Sequence, residues 1–318
     1  MPSSPLPIQV RPFRRDDRDQ LTQLINAHVA AVVPGVSVSV HTVLSQLERQ
    51  PGEFITDPWV SDRATLVAEQ GGRVQAAAHL LRYYADERAG EHYRDLGELR
   101  WFVFWPEAPS GNPWWPDAGP AADALMNRCL AQLAQWGVSR RGADGDLPAP
   151  GVYGLPAQWP HVRAVYERAG FTHTGGTEAV YLARVADLAR PAQLPRPGVT
   201  LSRTVGVNGT RLSAVAGSDV LGYIEVEEFA DGEPRLRQGS WADIGNLRVA
   251  PAYRRQGVGR WLLGQAADWL DLAGVSRLLD YAPLADQDAA AYRSFLAAAG
   301  FTELTRSQRG WDLDWVRK

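Results

Sequence analysis

Near its start the chain carries an alternating run, IQVRPF. It passes into RRDDRDQLTQLINAHVAAV, where Leu21, Leu24, Ile25, His28 and Val29 recur at the spacing of one helix face. Asp16 or Asp17 stands where the first free amides of that helix need an acceptor. Val43, Leu44 and Leu47 form a second helical stripe. ATLVAEQGGRVQAAAHLLRYY reads as two strands turning at Gly71-Gly72. A strand, ELRWFVFWP, an irregular stretch, EAPSGNPWWPDAGP, and a helix from about Ala121 to Gln135 follow. Leu125, Met126, Cys129, Leu130 and Leu133 share one side of that helix, and Gly137 is its expected C-cap.

The order of patterns then returns. TRLSAVAGSDVLGYIEVEEF reads as a hairpin turning near Gly217-Ser218-Asp219, and WADIGNLRVAP as a strand. Residues 260–273 form a helix that turns Leu262, Leu263, Ala266 and Leu270 inward, before a strand, VSRLLDYAPL, and a helix, QDAAAYRSFLAAAGF. Aligning Pro106 with Pro251 sets Phe104 on Val249, Phe102 on Leu247 and Glu98 on Asp243. The ends of the halves match at Gly170-Phe171 and Gly300-Phe301. The chain therefore reads as two copies of one α/β unit, the first with two extra helices near its start. Between them, LARPAQLPRPG carries Pro191, Pro195 and Pro197, which remove ladder donors and fix φ, and so reads as an extended linker. The expected division is residues 1–187, a linker over 188–198, and 199–318.

Composition narrows the function classes. A chain of 318 residues is long enough for two domains, with 45% hydrophobic and 22% charged residues as in ordinary globular proteins. A net charge of −3 offers no broad attraction for nucleic acid or an anionic membrane. The single cysteine, Cys129, excludes an intrachain disulfide and lies on an apolar helical face, as a packed thiol would. MPSSPLPIQV lacks the pattern of a signal peptide, and no apolar run approaches the roughly 20 residues of a membrane span. A cytoplasmic monomer or homodimer is expected. The 6 histidines show no ligand spacing, so no metal is expected.

The chemistry concentrates in RVAPAYRRQGVGRWLLGQAADWL, residues 248–270. A strand that ends in a glycine-rich turn opening a helix leaves backbone N–H groups at the positive end of the helix dipole, a site for pyrophosphate. Gly257 and Gly259 let phosphate approach, and Arg254, Arg255 and Arg260 add charge. Arg254-Arg255-Gln256-Gly257-Val258-Gly259 fits the pattern [RQ]-x-x-G-x-[GA]. The strand before it reads L-x-V-x-P (Leu247, Val249, Pro251), and each half closes on GF. In these features, over nearly its whole length, the chain resembles a tandem member of the GNAT superfamily of acyl-CoA-dependent N-acetyltransferases.

That resemblance implies a fold of two GNAT-type domains, each a mixed, mostly antiparallel sheet flanked by helices. It implies acetyl-CoA as cosubstrate, with the pantetheine arm on the backbone of Leu247, Arg248 and Val249 and the pyrophosphate on the amides of about Gln256, Gly257, Val258, Gly259 and Arg260. It also implies a base, a Glu in some members, fourteen residues before the first loop glycine, which here is Asp243. The family's usual acid, a Tyr four residues before the Gly of GF, is Leu296 in the second half, leaving Tyr281 or Tyr292 as substitutes. The first half reverses this. Tyr166 and Glu98 hold the acid and base positions, but the loop Pro116-Asp117-Ala118-Gly119-Pro120-Ala121 has no arginine and loses an amide at Pro120. Little or no CoA is expected there, and Tyr166 reads as a core or interface aromatic.

The expected acceptor is a small-molecule or peptide amine. Glu225, Glu227 and Glu228 could attract a cationic amine, although a solvated edge-strand face is the commoner use of such a run. Trp101, Trp105, Trp114, Trp115 and Trp241 could line an acceptor pocket, but aromatics of this kind more often fill a core. Two functions stay open: an acetyl-CoA-dependent N-acetyltransferase, and an acyl-CoA-binding interaction or regulatory protein without turnover.

Overall fold

The computed structural model describes residues 6–48, 58–106, 117–228, 240–285 and 289–313. The chain divides into two compact units, residues 1–176 with 307–318, and residues 177–306.

The first unit starts with β1 (Ile8–Pro12), α1 (Arg18–Val32), α2 (Val40–Leu47), β2 (Val60–Gln70), β3 (Arg73–Tyr83) and β4 (Leu96–Phe104). It continues with α3 (Gly119–Trp136), β5 (Arg140–Ala143), the two-residue β6 (Leu155–Pro156), α4 (Pro160–Arg168) and β7 (Phe171–His173). The predicted stripe of α1 is buried at Leu21, Leu24, Ile25, His28 and Val29. Gly137 caps α3 in the left-handed region at φ 66°.

The second unit holds β8 (Thr177–Arg184), β9 (Thr200–Val205), β10 (Thr210–Ala216), β11 (Asp219–Glu228) and β12 (Ser240–Val249). There follow α5 (Val258–Leu272), β13 (Val275–Pro283), α6 (Ala289–Ala298) and β14 (Thr302–Gln308), across which the unit boundary runs. The last strand, β15 (Trp311–Leu313), belongs to the first unit.

Both sheets are mixed and mostly antiparallel, as expected. β4 pairs in parallel with β5, and β12 with β13. The repeat extends to backbone irregularity. Each central strand carries one extra residue against its hairpin partner, Arg100 in β4 and Gly245 in β12, and these fall on each other in the alignment that sets Glu98 on Asp243.

The unit boundary differs from the predicted seam. β8 pairs along its length with β13 in the second sheet, in the order β14-β8-β13-β12-β11-β10-β9. The first sheet runs β1-β2-β3-β4-β5-β15-β7, so it is completed by the far end of the chain. The proline-rich stretch 188–198 lies within the second unit and packs there. Leu188 is buried, Arg190 pairs with Asp268 at 2.8 Å, and a Cβ added at Gly264 of α5 would lie 2.8 Å from Pro191 Cδ. Prolines report the loss of ladder donors, not the absence of packing. The predicted irregular stretch over 107–120 falls largely outside the described residues, including Trp114, Trp115 and Pro116.

Candidate active site

The candidate site of the second unit lies where β12 and β13 part. Their parallel pairing ends at Asp243 with Leu279, yet β12 runs on to Val249 and β13 to Pro283. β12 stays paired with β11 as far as Val249, so residues 244–249 keep a backbone edge turned away from β11 and toward the gap. The V is a property of strand geometry: Gly245 is the extra residue, and such a bulge bends the strand that carries it. Glycine is required there by space, since a Cβ would lie 2.3 Å from Asn208 Cβ.

The loop after β12 aims backbone donors into the mouth of that V. Pro251–Tyr253 makes one short 3-10 turn, Arg254 is extended, and Arg255 and Gly257 take left-handed φ values of 62° and 84°. Only glycine adopts that backbone without strain, which accounts for Gly257; Arg255 bears the cost. α5 then starts at Val258, and its first hydrogen bond runs from Trp261 N–H to the Gly257 carbonyl. The amides of Val258, Gly259 and Arg260 therefore precede the helical ladder and point out of the helix end. Arg254, Arg255, Gln256 and Arg260 are exposed around them, while Val258 is buried beneath. Gln256 Nε2 donates to Ala252 O at 2.9 Å, and Arg254 Nε to Val249 O at 3.4 Å, which ties the loop to the end of the strand. A Cβ placed on Gly259 would stand 3.6 Å from both Val249 and Phe295, so α5, β12 and α6 converge at this residue.

Core packing assigns the faces. Ala242, Ile244, Leu247 and Val249 belong to the core beneath α5, so Asp243 and Arg248 point to the opposite face once the bulge is counted. On β13, Leu278 and Ala282 belong to the same core, and Asp280 between them shares the α5 and α6 side. Tyr292 of α6 donates its hydroxyl hydrogen to Asp280 Oδ2 at 2.5 Å, and the Tyr281 amide donates to Oδ1 at 2.6 Å. Tyr281 turns the other way, onto the face of Asp243. The inner end of the V thus carries one carboxylate on each face.

Both carboxyls hold their protons unusually well. Burial pushes Asp243 up to about 6, with Glu227 across the ladder adding to the rise, and its Oδ1 is buried without a hydrogen-bond partner. Burial pushes Asp280 up to about 7 against the pull of the Tyr292 hydrogen bond, and the Asp243 charge raises it further. The same burial moves the Tyr292 hydroxyl upward. Since the unfolded chain releases these protons near 3.9, the folded protein binds more of them between about pH 4 and 7. Stability then falls as pH rises through that window. Asp280→Asn is expected to be more stable than the wild type at pH 8 by a few kcal/mol in order of magnitude, with the gap closing by pH 4. Denaturant melts at the two pH values measure it, and equal gaps at both would contradict the assignment.

Leu296, at the position of the family's usual acid, is fully buried in the core. Glu225 corrects an expectation. It is neither solvated nor free for a ligand, being fully buried and bonded by Arg211 Nε at 2.7 Å and Asn246 Nδ2 at 2.7 Å, with the Val207 amide at 3.2 Å. It anchors the short turn between β9 and β10, the place where the first unit has α1 and α2. Glu227 is exposed.

The corresponding place in the first unit is filled. After β5 the chain stays on β4, with Asp144 and Asp146 amides donating to Leu99 O and Arg100 O, both at 3.0 Å. Glu98 is buried, accepts from Tyr83 Oη at 2.6 Å and neighbours Arg100, which pairs with Asp146. Phe104, the counterpart of Val249, packs on His161, and His161 on His28. At the start of α3, the Asp117 carboxylate takes the Gly119 amide at 3.0 Å. Tyr166 is buried with its hydroxyl on Asp144 O at 3.0 Å, in contact with Phe171 and Trp311, as a core aromatic. Trp101 and Trp241 are likewise buried.

Asp280 escaped the sequence reading. Its one local signal was a lone charge within an apolar strand, LLDYAPL, at the point where the strand pairing stops.

Comparison with known proteins places these features. Residues 184–301 match the acetyltransferase (GNAT) family. A tandem GNAT protein from the clavulanic acid biosynthesis pathway aligns over 98% of this chain and 100% of its own, with TM-score 0.62 and 14% identity. A GCN5-related N-acetyltransferase from Sphaerobacter thermophilus aligns over 98% of each chain, with TM-score 0.60 and 14% identity. A fungal multi-domain GH3 β-N-acetylglucosaminidase, described as carrying a GCN5-related glucosamine N-acetyltransferase region, aligns over 97% of this chain with TM-score 0.61 and 13% identity. The present chain spans 38% of that fungal protein. No curated protein sequence matches the chain. At such identities the shared property is the fold.

Proposed function

With residues 184–301 matching the acetyltransferase (GNAT) family and the chain-long fold that of tandem GNAT proteins, we propose that this protein moves an acetyl group from acetyl-CoA to an amine, using the second unit. The observation that carries the reading is the V between β12 and β13, opening beside the N-terminal amides of α5.

The residues present fit the cosubstrate. The edge of β12 at Leu247, Arg248 and Val249 offers backbone groups to the amides of a pantetheine arm, as an added strand would. The amides of Gln256 to Arg260 and the side chains of Arg254, Arg255 and Arg260 suit a pyrophosphate. Acetyl-CoA bound in this way would supply a thioester, whose carbonyl carbon an amine can attack. The chain contributes a proton acceptor at Asp243, on the face opposite α5, and a buried, water-poor setting at the inner end of the V.

Asp243 takes a proton from the incoming ammonium, directly or through water, and releases it to solvent. Its carboxyl titrates near 6, so kcat/KM is expected to fall as pH drops below about 6, where the base is protonated. Asp243→Asn is expected to lower kcat about 100-fold or more while leaving CoA affinity within a few-fold. Thiol release measured across a panel of small amines and peptide N-termini tests the whole reading. No release with any of them, alongside tight CoA binding, would favour the alternative of a binding protein without turnover. The buried Leu296 is the observation that speaks for that alternative.

A further inference from the structure

The acetyltransferase reading leaves one proton without a source. The departing CoA sulfur needs an acid, and Leu296, buried in the core, supplies none. We propose that Asp280 is the proton donor to the leaving thiolate and that Tyr292 positions it. The proposal rests on the reading of the second unit given above.

Geometry carries it. Asp280 is the first residue of β13 beyond the last pair with β12, so it stands at the inner end of the V. It faces the α5 and α6 side, the side from which the loop amides feed the slot. Phe295 and Tyr292 lie one turn apart on α6 with their rings parallel within 16°. Phe295 reaches Gly259 at the mouth, and Tyr292 reaches Asp280 at the inner end. A pantetheine arm entering past Gly259 and running along Val249 and Leu247 would bring its sulfur toward Asp280. Tyr281, by contrast, sits on the opposite face with Asp243.

The titratable groups bearing on Asp280 are few. Tyr292 comes from α6 and Asp243 from β12. Tyr181 is its register partner on β8, and its hydroxyl is turned to Glu303 at 3.4 Å. Among the described residues no cation shifts it, and burial holds the carboxyl up to about 7, so a substantial share of it keeps its proton at neutral pH.

The step balances. The amine nitrogen bonds to the thioester carbonyl carbon, the C–S bond breaks with its electron pair on sulfur, and the Asp280 proton moves to that sulfur. Asp280 is left as a carboxylate held by the Tyr292 hydroxyl. Of the two protons the ammonium nitrogen gives up, one replaces that of Asp280 and the other reaches solvent.

The first test uses the full chain with CoA alone and needs no acceptor. The ultraviolet band of the bound thiolate is followed against pH in the wild type and in Asp280→Asn. Above pH 7 an ionised Asp280 beside the sulfur should hold the bound thiol about one unit above its ordinary value near 8.5, and the variant should return it there. If CoA does not bind, the underlying reading fails and the proposal with it. If CoA binds and the two proteins titrate alike, Asp280 alone is overturned.

The second test uses any amine that the wild type acetylates. The wild-type kcat should fall above about pH 7, whereas Asp280→Asn should be about 100-fold slower and lack that descending limb. Tyr292→Phe should stay active and move the limb to higher pH, because removing a hydrogen bond to the carboxylate favours its protonated form. A limb that persists in Asp280→Asn, or that stays in place in Tyr292→Phe, refutes the respective role.

Discussion

A fragment of residues 199–318 is expected to remain unfolded, whereas residues 177–306 are expected to fold. The first fragment follows the proline-rich stretch and looks like a sensible domain on paper, but it lacks β8. That strand lies between β13 and β14 and places Ala179, Tyr181 and Ala183 in the core beneath α5, with Val185 just beyond its end, also missing from the fragment. Burial of side chains the size of Tyr181 and Val185 is worth roughly 1.5–3 kcal/mol each. The missing ladder bonds, together with the exposed edges of β13 and β14, come on top. A domain's whole stability is about 5–15 kcal/mol, so the deficit removes most or all of it. Circular dichroism and thermal melts of the two fragments decide the matter. A cooperative, native-like transition in 199–318 would mean that β8 contributes far less than its pairing implies.

Gly259→Glu is expected to abolish CoA binding while leaving the fold as stable as before, or slightly more so. The two effects share one position. Gly259 is the second residue of α5, where a negative charge is favoured by the helix dipole by about 0.3–1 kcal/mol. A Cβ there meets Val249 and Phe295 at ordinary contact distance, so the backbone need not move. The rest of the side chain then extends into the slot between β12 and α6 and presents a carboxylate where the pyrophosphate would sit. Titration calorimetry should show one CoA per wild-type chain and at least a 100-fold loss in the variant, with an unchanged or raised Tm. Two sites of equal affinity would contradict the picture of a filled first unit. Retained binding in Gly259→Glu would contradict the location of the slot.

What was readable in the residues follows from the range of each signal. The loop, its arginines and the helix behind it are local, and the pattern R-R-Q-G-V-G carried them into the structure with their spacing intact. The two-fold repeat was legible because apolar periodicity and GF recur in the same order, and even the bulge at Arg100 and Gly245 obeys that alignment. Strand exchange was not legible. Nothing in TEAVYLAR says that it will pair with LLDYAP, because pairing partners are chosen by the whole sheet and not by neighbours in sequence. Glu225 misled for a related reason, since its burial depends on Arg211 and Asn246 from two other strands. Asp280 is not legible from sequence, because one carboxylate in a strand means little until the end of a strand pair is known.

The exchange of end strands also sets a timetable. As the chain leaves the ribosome, the first sheet has a vacancy between β5 and β7, to be filled by residues 311–313. At roughly 5–20 residues per second, the segment from residue 177 to 313 takes on the order of ten seconds to make. For that interval a nearly complete sheet presents two open edges, the condition under which chains pair with the wrong neighbour. One of the waiting strands is RRGA, and Arg140 and Arg141 place two positive charges on it. Charged side chains on an unpaired edge discourage a foreign strand, so Arg140 and Arg141 serve that edge before Arg141 is buried and Arg140 settles on His92 O in the finished sheet.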